Sequence, residues 1–399
     1  MWNKKFHTLE ESKNDSMQKW IYGGNNVIVK SIKLKNFRNF SELNIELNNI
    51  LNIFIGDNGQ GKTNLLESIY LCSIGKTFKL NSENDLIKFG ENSFEVEIVI
   101  NKENGRDKTI NIFYAKNQKR IVKINGVKLE KNSELIGYLN NVIFTPDDLK
   151  IIKGSPIERR KFINIDISQI KPKYKYLLRN YKKVITGRNN ILKDLSNNSN
   201  KDILSIWNDY LIDIGSEIIF YRKEYIKNLK HYAALIYANI SDNKEIFNLS
   251  YKCDIGNVED LSKDEIKKIF REKVDKNIEN EIFRKNSLYG PHKDDIIVKI
   301  NDKDFKYFGS QGQQRSAVLA IKLAEIEIIR DEIGEYPILL LDDVLSELDN
   351  KRKSFLIDYI KNIQTIITST DDNDLKDLVK KNDKKIFHIC EGNIGNIII

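Results

Sequence analysis

The chain has 399 residues and a net charge of +8, and 40% of its residues are hydrophobic. This length and apolar content suffice for one large folded domain or two smaller ones, and they exclude an intrinsically disordered protein. The basic excess gives only a mild preference for polyanionic partners, because lysine and asparagine are abundant along the whole chain.

The cysteines, Cys72, Cys253 and Cys390, stand far apart, and the histidines do not cluster with them. We therefore expect neither a metal cluster nor a disulfide framework, and a reducing cytoplasm is the natural setting. No apolar run approaches the length of a membrane span, and no signal-peptide core follows the first residues. We expect no membrane association.

The first elements in chain order are a polar stretch and two strands. Residues 1–26 lack periodicity and end in glycines and asparagines, so we interpret them as an extension or linker. A strand with partial alternation is predicted over 27–34, where the folded part is expected to start. The second predicted strand, residues 50–55, is a short apolar run that leads directly into Gly56.

Residues 56–63, GDNGQGKT, match the phosphate-binding pattern GxxxxGK[ST] between that strand and a helix predicted from Leu65, Leu66 and Ile69. A chance match is the alternative, and the strand–loop–helix order argues against it. Glycines let backbone N–H groups surround a polyphosphate, and the helix N-terminus favours the same anion. Lys62 is expected to neutralise the β- and γ-phosphates and Thr63 to hold Mg²⁺. The predicted nucleotide-binding residues are Gly56, Asp57, Asn58, Gly59, Gln60, Gly61, Lys62 and Thr63.

An antiparallel β layer is predicted next, from three runs at residues 94–100, 109–114 and 121–124. The last run ends at Asn125-Gly126, a typical hairpin-turn pair. A further short strand is predicted at 141–144, followed by a turn that could begin a helix.

From about residue 155 to 284, apolar residues recur three and four apart, which predicts a helical lobe. Breaks at 196–200 and near Gly256 argue against a long coiled coil. After this lobe we expect a strand at 296–300 and a return strand that ends at Phe308.

The last hundred residues contain a helix that follows 309–315 and a buried strand, 337–343, that ends in two carboxylates. Asp342 is expected to share Mg²⁺ with Thr63, and Asp343 to orient or deprotonate an attacking water. The alternative is two acidic residues that cap a strand end in solvent, and the upstream GKT favours the catalytic interpretation.

Ser310 to Gln314, with the helix after them, resemble the signature motif of ABC-type ATPases, which closes over a γ-phosphate held by the other subunit. A serine hydroxyl, a glycine backbone and a helix N-terminus are donors suited to an anion. Asp349 matches the D-loop of that class and would face the opposite subunit. The final strand is predicted at 366–370 and lacks the switch histidine of many such ATPases; we interpret His388 as a partly buried strand residue.

Together these motifs resemble the RecF family of bacterial recombination mediators, which are related to SMC-type heads. The resemblance begins near Val27, so the residues before it depart from the family pattern, and it also rests on segments 34–40, 144–149, 289–295 and 340–349. It implies a weak ATPase that forms an ATP-dependent head-to-tail homodimer. It also implies binding to duplex and gapped DNA, or a single-strand/double-strand junction, and cooperation with RecR and RecO to load RecA on single strands.

Arg38 lies on the loop after the first strand and, given the resemblance, is expected to reach the nucleotide; an ordinary surface arginine is the alternative. Asp343 stands where many relatives have the longer glutamate, so we expect slow ATP turnover. His292 has a catalytic and a structural interpretation of equal weight, because proline and aspartates surround it.

The candidate DNA contact is the basic stretch from Lys150 to Arg188, in which tyrosines are interleaved and only Glu158 and Asp166 are acidic. Lysine and arginine there would neutralise phosphates and make binding salt-dependent. A solvated helix face in a lysine-rich protein remains an equal alternative. The predicted DNA-binding residues are Arg159, Arg160, Lys161, Lys182 and Lys183.

We predict an α/β fold, an ABC-type P-loop ATPase head with an antiparallel β layer and an inserted helical lobe. The expected division is 1–26 extension, 27–154 N-terminal ATPase part, 155–285 helical lobe and 286–399 C-terminal ATPase part. The predicted function is an ATP-driven DNA-repair clamp. A transporter subunit is an alternative that the long helical insertion disfavours; an SMC-like or OLD-type ATPase with nuclease activity is another, and no carboxylate-rich domain follows residue 349.

Overall fold

The computed structural model describes residues 25–78, 82–102, 105–194, 201–370 and 383–398. The strands are β1 Asn25–Asn26, β2 Ile28–Phe37, β3 Phe40–Glu46, β4 Leu51–Ile55, β5 Ser93–Asn101, β6 Asp107–Ala115, β7 Ile121–Ile124, β8 Val127–Lys128, β9 Asn141–Phe144, β10 Phe247–Lys252, β11 Asp295–Ile300, β12 Lys303–Asp304, β13 Glu335–Tyr336, β14 Ile338–Asp342, β15 Thr365–Ser369, β16 Lys384–Cys390 and β17 Asn393–Ile398.

The helices are α1 Lys62–Ile74, α2 Lys150–Lys153, α3 Pro156–Ile170, α4 Pro172–Asp194, α5 Lys201–Ile240, α6 Lys263–Lys276, α7 Ile278–Arg284, α8 Phe305–Phe308, α9 Gln311–Ile333 and α10 Asn350–Tyr359. Short 3-10 turns cover Glu83–Leu86, Asn132–Leu135, Pro146–Leu149 and Leu345–Glu347. No helix in these described ranges is long and apolar enough to cross a membrane.

The central sheet has the order β17-β16-β4-β15-β14-β9, and its neighbouring strands are parallel except at β17. Both β4 and β14 are buried along their whole length, because the sheet is covered on two faces. Such strands are predominantly apolar in sequence, and the strands predicted within residues 50–55 and 337–343 are confirmed. The carboxyl ends of β4 and β14 therefore meet at one edge.

The antiparallel layer is also confirmed, as a second sheet with the order β3-β2-β5-β6-β7-β8. Buried and less buried side chains alternate along β5, as expected of a strand with one face on a core. Asn125 and Gly126 both have positive φ, 50° and 80°, which is the conformation of a type I′ hairpin turn.

Helix α1 lies between the two sheets and is therefore buried on every side. Leu65, Leu66, Ile69 and Cys72 are fully buried in the core that this helix shares with the antiparallel sheet. Glu67 is also completely buried. The helix that leaves the phosphate-binding loop is thus held rigidly by packing rather than by an exposed polar face.

The helical lobe is built on α4 and α5, which run antiparallel: Lys173 pairs with Glu217, and Arg188 donates to Asn208. At 40 residues, α5 is about 60 Å long. The predicted break at 196–200 lies largely outside the described residues, which end at Asp194 and resume at Lys201.

One prediction for this lobe is wrong, because β10 lies inside it. This strand pairs antiparallel with β11 along its whole length. Phe247 and Leu249 are buried and Ser250 is exposed, which is strand-like alternation. Six residues in a lysine- and asparagine-rich context are too short for that alternation to be distinguished from a helix fragment.

The predicted return strand ending at Phe308 is also wrong. The return strand is only the two-residue β12, Lys303–Asp304, which pairs antiparallel with β11, and α8 follows it. The side chain of Asp304 accepts a hydrogen bond from the backbone N–H of Lys306 at 2.9 Å. This cap starts a helical turn in place of a longer strand.

Near the two ends of the chain, the structure differs from two predictions. The prediction that residues 366–370 form the last strand is wrong, since β15 lies in the middle of the sheet and β16 and β17 follow it. His388 is a half-buried residue of β16, as predicted. At the other end, the predicted linker finishes in β1, which pairs with β13, while residues 1–24 lie outside the described residues.

Candidate nucleotide-binding site

The phosphate-binding loop lies between the carboxyl end of β4 and the first turn of α1. Gly59 and Gly61 have φ values of 82° and 115°, a left-handed conformation that only glycine adopts at low cost. Gly56 is needed for another reason, because a Cβ there would lie 2.3 Å from the carbonyl oxygen of Ile389 in β16. Each glycine of the motif is therefore required, either by a left-handed backbone conformation or by a close approach of another strand.

The loop is braced from two sides by contacts that sequence reasoning missed. In the turn between β16 and β17, the N–H of Glu391 donates to Gln60 Oε1 at 2.5 Å and the N–H of Gly392 to the Gln60 carbonyl at 3.2 Å. Asn39 donates to the same carbonyl at 2.6 Å and accepts from Asn64 at 2.9 Å. A loop held in shape before its ligand arrives loses less conformational entropy on binding.

The Lys62 side chain lies inside the loop and bonds to two of its carbonyl groups. Its side chain is buried, and Nζ donates to the carbonyl oxygens of Gly56 and Asp57 at 2.5 and 2.9 Å. Burial lowers the pKa of Lys62, and the charges of Asp343, Asp342 and Asp57 oppose that shift. The ammonium is thus held at the base of the loop, where it could meet the phosphates of a nucleotide.

Thr63 and Asp342, predicted to share a metal ion, are in contact. The Thr63 hydroxyl donates to Asp342 Oδ1 at 2.7 Å, and the Thr368 hydroxyl donates to the same oxygen at 3.0 Å. The register of β14 and β15 sets Asp342 beside Thr368. A carboxylate and a hydroxyl fit Mg²⁺, which takes few protein oxygens and completes its shell with water and phosphate.

Asp343 occupies an unusual backbone conformation, with a φ of 54°. A left-handed conformation costs a residue other than glycine about 1–2 kcal/mol. The backbone N–H of Asp343 donates to the Thr368 hydroxyl at 3.0 Å, and the Ser346 hydroxyl donates to the Asp343 carbonyl at 2.8 Å. These bonds hold the residue at the wall of the cavity described next.

The loop opens into a cavity of about 760 Å³. That volume lies in the range of small-molecule sites. Among the predicted residues, the lining includes Asn58, Gly59, Gly61, Lys62, Thr63, Lys161, Asp342 and Asp343. The P-loop and the strand ending in two carboxylates, 279 residues apart at Thr63 and Asp342, therefore form one site.

The far wall of the cavity holds a buried ionic cluster. Lys322 and Glu325 of α9 form an ion pair at 2.8 Å, and the Tyr225 hydroxyl donates to Asp166 of α3 at 2.9 Å. Burial raises the pKa of Asp166 to about 6, and it also raises the pKa of Glu325 and of Asp148. Sequence reasoning missed this cluster; the signal was a lysine and a glutamate three residues apart in the otherwise apolar segment 317–326 of α9.

Ser310 and Asp349 lie near each other on a different surface. Ser310 is exposed and caps α9, where its hydroxyl accepts from the Gln313 N–H at 3.2 Å. Asp349 is exposed and caps α10. Arg352, which was not predicted, pairs with Asp349 and donates to the Gly312 carbonyl at 3.0 Å. Neither Ser310 nor Asp349 is among the described residues that line the cavity.

Arg38 is engaged elsewhere in this structure. Its guanidinium forms a two-pronged ion pair with buried Glu67 and donates to the Asp85 carbonyl at 3.0 Å. The neighbouring Asn39, not Arg38, makes the contact with the phosphate-binding loop. Contact between Arg38 and a nucleotide stays a prediction.

The basic stretch chosen for DNA is partly internal. Arg159 is buried and forms a two-pronged ion pair with Asp295, and Arg160 donates to the Asp294 carbonyl at 2.5 Å. Arg188 is fully buried and paired with Glu281. The assignment of Arg159 to DNA contact is therefore wrong, because its charge is already neutralised inside the protein.

Of the other candidates, Arg160 is half-buried, whereas Lys161, Lys182 and Lys183 are exposed, on two different surfaces. Lys161 lies at the edge of the cavity, and Lys182 and Lys183 lie on the outer face of α4. Of the interleaved tyrosines, Tyr174 and Tyr181 are buried. These lysines stay candidates, whereas the stretch as one continuous surface does not exist.

His292 belongs to an internal turn. It shares a hydrogen bond with the Tyr181 hydroxyl at 2.9 Å, and burial lowers the pKa of His292 to about 4. Two residues on, Asp294 accepts from Arg222 at 2.9 Å and from the Asp254 N–H at 2.9 Å. A neutral histidine in this buried network supports the structural interpretation of the segment.

The fold and this site define an SMC-type ATPase head. The model of the RecF/RecN/SMC N terminal domain family matches residues 28–391. A head domain of Smc from Pyrococcus furiosus superposes with a TM-score of 0.55 at 19% identity over 93% of this chain and 96% of that one, which shows the shared fold.

The chain belongs to the RecF family. It is 44% identical to the DNA replication and repair protein RecF of Clostridium tetani over 91% of this chain and 98% of the relative. It is 42% identical to RecF of Alkaliphilus oremlandii over 92% and 100%. A structure of the recombination mediator RecF with ATP, described as part of the RecFOR pathway, superposes with a TM-score of 0.85 at 34% identity over 93% and 99%. The matches support a DNA replication and repair protein of an ATPase family, not the transporter alternative.

Proposed function

We propose that the protein binds ATP with Mg²⁺ and that two copies then close head to tail and hold DNA. The observation that carries this proposal is the division of the site between two surfaces. Lys62, Thr63 and Asp342 line one cavity, whereas Ser310 is exposed at the start of α9, away from that lining. An exposed serine at a helix N-terminus can donate to the γ-phosphate held by a second copy.

In this proposal each residue has one task. Backbone N–H groups of 56–61 and the Lys62 ammonium bind the phosphates, and Thr63 and Asp342 hold Mg²⁺. Asp349 is paired with Arg352, which also bonds to the Gly312 carbonyl within residues 310–314, and it is proposed to face the opposite copy. The Mg²⁺ ion would supply positive charge that offsets the charge of the phosphates. The superposed RecF structures with ATP support the choice of nucleotide.

Hydrolysis is proposed to be slow and to depend on Asp343. Its carboxylate is one methylene shorter than glutamate, so it approaches an attacking water less closely. Asp343→Asn is expected to reduce turnover by about 100-fold or more, the usual contribution of a general base, and to leave ATP affinity nearly unchanged. Phosphate release and equilibrium ATP binding measure the two effects. Rapid turnover by the unaltered protein would contradict slow hydrolysis, and an unaffected variant would remove Asp343 from the mechanism.

The nucleic-acid and protein partners are proposed from the family. We propose duplex, gapped or junction DNA as the ligand, and RecR, RecO and RecA as cytoplasmic partners. The description of a similar RecF structure as a recombination mediator in the RecFOR pathway supports a role in recombination. A weak, DNA-dependent ATPase would use ATP to close the dimer and hydrolysis to reopen it.

Addition of ATP and Mg²⁺ is expected to convert the protein from monomer to dimer and to increase its affinity for gapped DNA. Light scattering coupled to size exclusion measures the first effect and a gel shift the second. ADP, and ATP with a chelator, are the controls and should leave a monomer. A monomer under conditions where ATP is demonstrably bound would refute the proposal.

A further inference from the structure

Two aromatic side chains stand in solvent just before the turn that begins with Ser310. Tyr307 and Phe308, the last residues of α8, are 73% and 70% exposed. Ser310 follows Phe308 by two residues, so their Cα atoms lie within about 8 Å of each other. A single exposed apolar residue is ordinary on a protein surface, whereas adjacent exposed aromatic rings are typical of a surface that meets a partner.

The segment that carries these rings is fixed to the protein by its other residues. Phe305, in the same helix, is buried, and a Cβ on Gly309 would lie 2.9 Å from its ring. The N–H of Gly309 donates to the Phe305 carbonyl at 3.2 Å, and Gln314 Nε2 donates to the Gly309 carbonyl at 2.9 Å. The backbone beneath the two rings is therefore fixed relative to Ser310.

A third exposed apolar residue reaches the same turn from another part of the chain. Ile246, in the loop between α5 and β10, is 75% exposed. The preceding residue, Glu245, accepts a hydrogen bond from Gln313 Nε2 at 2.5 Å. Because the N–H of Gln313 donates to the Ser310 hydroxyl, Ile246 lies beside the turn. We call these three exposed residues the apolar flank: Ile246, Tyr307 and Phe308.

An exposed aromatic residue also lies beside the phosphate-binding loop. Phe89 is fully exposed and borders an open pocket of about 530 Å³ together with Asn39 and Asn64. Asn39 donates to the Gln60 carbonyl and accepts from Asn64, so this pocket adjoins the loop. Lys88 donates to the Asn39 carbonyl at 2.9 Å and holds the turn of Phe89 there. Each half of the proposed composite site thus has an exposed aromatic side chain next to it.

We propose that the apolar flank of one copy packs against a second copy of this chain, around its Phe89, when ATP closes the pair. This inference rests on the proposed head-to-tail dimer and names the apolar contacts that hold it together. If Ser310 reaches a phosphate held at Lys62 of the second copy, residues within about 8 Å of Ser310 face the surface around that loop. Tyrosine is enriched among the few residues that supply most of an interface's affinity, and phenylalanine among interface residues in general.

Single-stranded DNA is the other partner that exposed aromatic rings could bind, because bases stack on such rings. Sites of that kind combine the rings with a positively charged groove. Here Lys306 adds a positive charge over the Tyr307 ring, but Glu245 lies next to Ile246 and Asp304 begins α8. This mixture of charges fits a protein surface better than a polyanion.

The test compares the double variant Tyr307→Ser/Phe308→Ser with the unaltered protein, using light scattering with ATP and Mg²⁺ over a range of protein concentrations. Loss of two aromatic contacts is expected to raise the dimer dissociation constant by about thirtyfold or more. ATP affinity of the monomer should stay the same, because neither residue is among the described residues that line the nucleotide cavity. Tyr210→Ser/Phe283→Ser removes the same two ring types from exposed positions of the helical lobe and should leave the dimer unaltered.

The receiving surface is tested by Phe89→Ser, which is expected to weaken the dimer in the same way. In a mixture of this variant with Tyr307→Ser/Phe308→Ser, one interface of the head-to-tail pair has both surfaces intact and the other has neither. Only one set of contacts is then lost, whereas each variant alone loses two. The mixture should therefore associate more tightly than either variant, and association no tighter than theirs would contradict contact between the two surfaces.

The outcomes separate this inference from the function on which it rests. If the unaltered protein stays monomeric while ATP is bound, the proposed dimer fails and the apolar flank with it. If the unaltered protein dimerises and Tyr307→Ser/Phe308→Ser does so equally well, the apolar flank alone is refuted. A normal dimer with weakened binding of single-stranded DNA would assign the rings to nucleic acid, and loss of the dimer in the Tyr210→Ser/Phe283→Ser control would show a general weakening of the protein; each result overturns the proposal.

Discussion

Replacing Lys62 by alanine is expected to reduce ATP affinity by roughly a hundredfold, because charge-assisted hydrogen bonds to two phosphates contribute on the order of 3 kcal/mol. The structure shows why no other group is expected to replace the lost charge of Lys62. Lys62 is buried at the base of the loop, and the nearby acidic groups Asp57, Asp342 and Asp343 would repel the nucleotide once the ammonium is removed. Isothermal titration with ATP and Mg²⁺ measures the loss.

The matched control for this change is Lys153→Ala, which removes an exposed lysine of α2 that is not among the described residues lining the cavity. It should bind ATP as the unaltered protein does. A thermal melt of each variant distinguishes lost affinity from lost folding, since Lys62 also holds two loop carbonyls. ATP affinity within a few-fold of normal in a folded Lys62→Ala protein would contradict the assignment of this site.

Ser310→Arg is expected to abolish the ATP-induced dimer while ATP affinity of the monomer stays the same. The arginine would place a long charged side chain at the surface where the second copy's phosphate is proposed to dock. Ser310 is exposed, so the variant should fold, with a loss of about 1 kcal/mol from the missing helix cap. Light scattering with ATP measures the monomer–dimer equilibrium, and a dimer of normal stability would refute the composite site.

Ser262 provides a matched control for the lost cap. It begins α6 with the same capping box, in which its hydroxyl accepts from the Glu265 N–H at 3.3 Å. Ser262→Arg should cost similar folding stability and leave the dimer intact. If both arginine variants lose the dimer, the cause is the weakened helix and not the docking of a phosphate.

A mixture of the Lys62→Ala and Ser310→Arg variants tests the composite site more directly. In a head-to-tail dimer of one Lys62→Ala copy and one Ser310→Arg copy, one composite site contains both normal residues and the other contains neither. ATP-dependent association should therefore reappear in the mixture, although each variant alone stays monomeric. If the mixture does not associate, the proposal that Ser310 of one copy completes the nucleotide site of the other is contradicted.

Several features were predictable because local chemistry demands particular residues. A turn around phosphates needs glycines, and this need is seen at Gly59 and Gly61, where φ is positive. Parallel strands covered on both faces need predominantly apolar residues, which identified β4 and β14. The antiparallel layer followed from alternation and from the Asn125-Gly126 turn. In all these cases the cause lies within about ten residues of its effect.

Contacts between distant segments were not predictable in the same way. The backbone N–H groups of Glu391 and Gly392 hydrogen-bond to Gln60 of the phosphate-binding loop, although these residues lie far apart in the chain. The ionic cluster of Lys322 and Asp166 is buried only because α9 packs on α3. Neither residue type is unusual by itself, so no local pattern distinguishes it from a surface charge.

The difference between local and long-range causes is clearest for the basic side chains. From sequence, Arg159 and Lys182 looked alike as members of a basic stretch, yet the fold pairs Arg159 with Asp295 in the interior and leaves Lys182 in solvent. The ATPase class and the glycine-rich loop could be identified from the amino-acid sequence, since both depend on backbone geometry that nearby residues dictate. Which basic side chains stay exposed could be seen only in the fold, because burial and pairing depend on segments more than a hundred residues away.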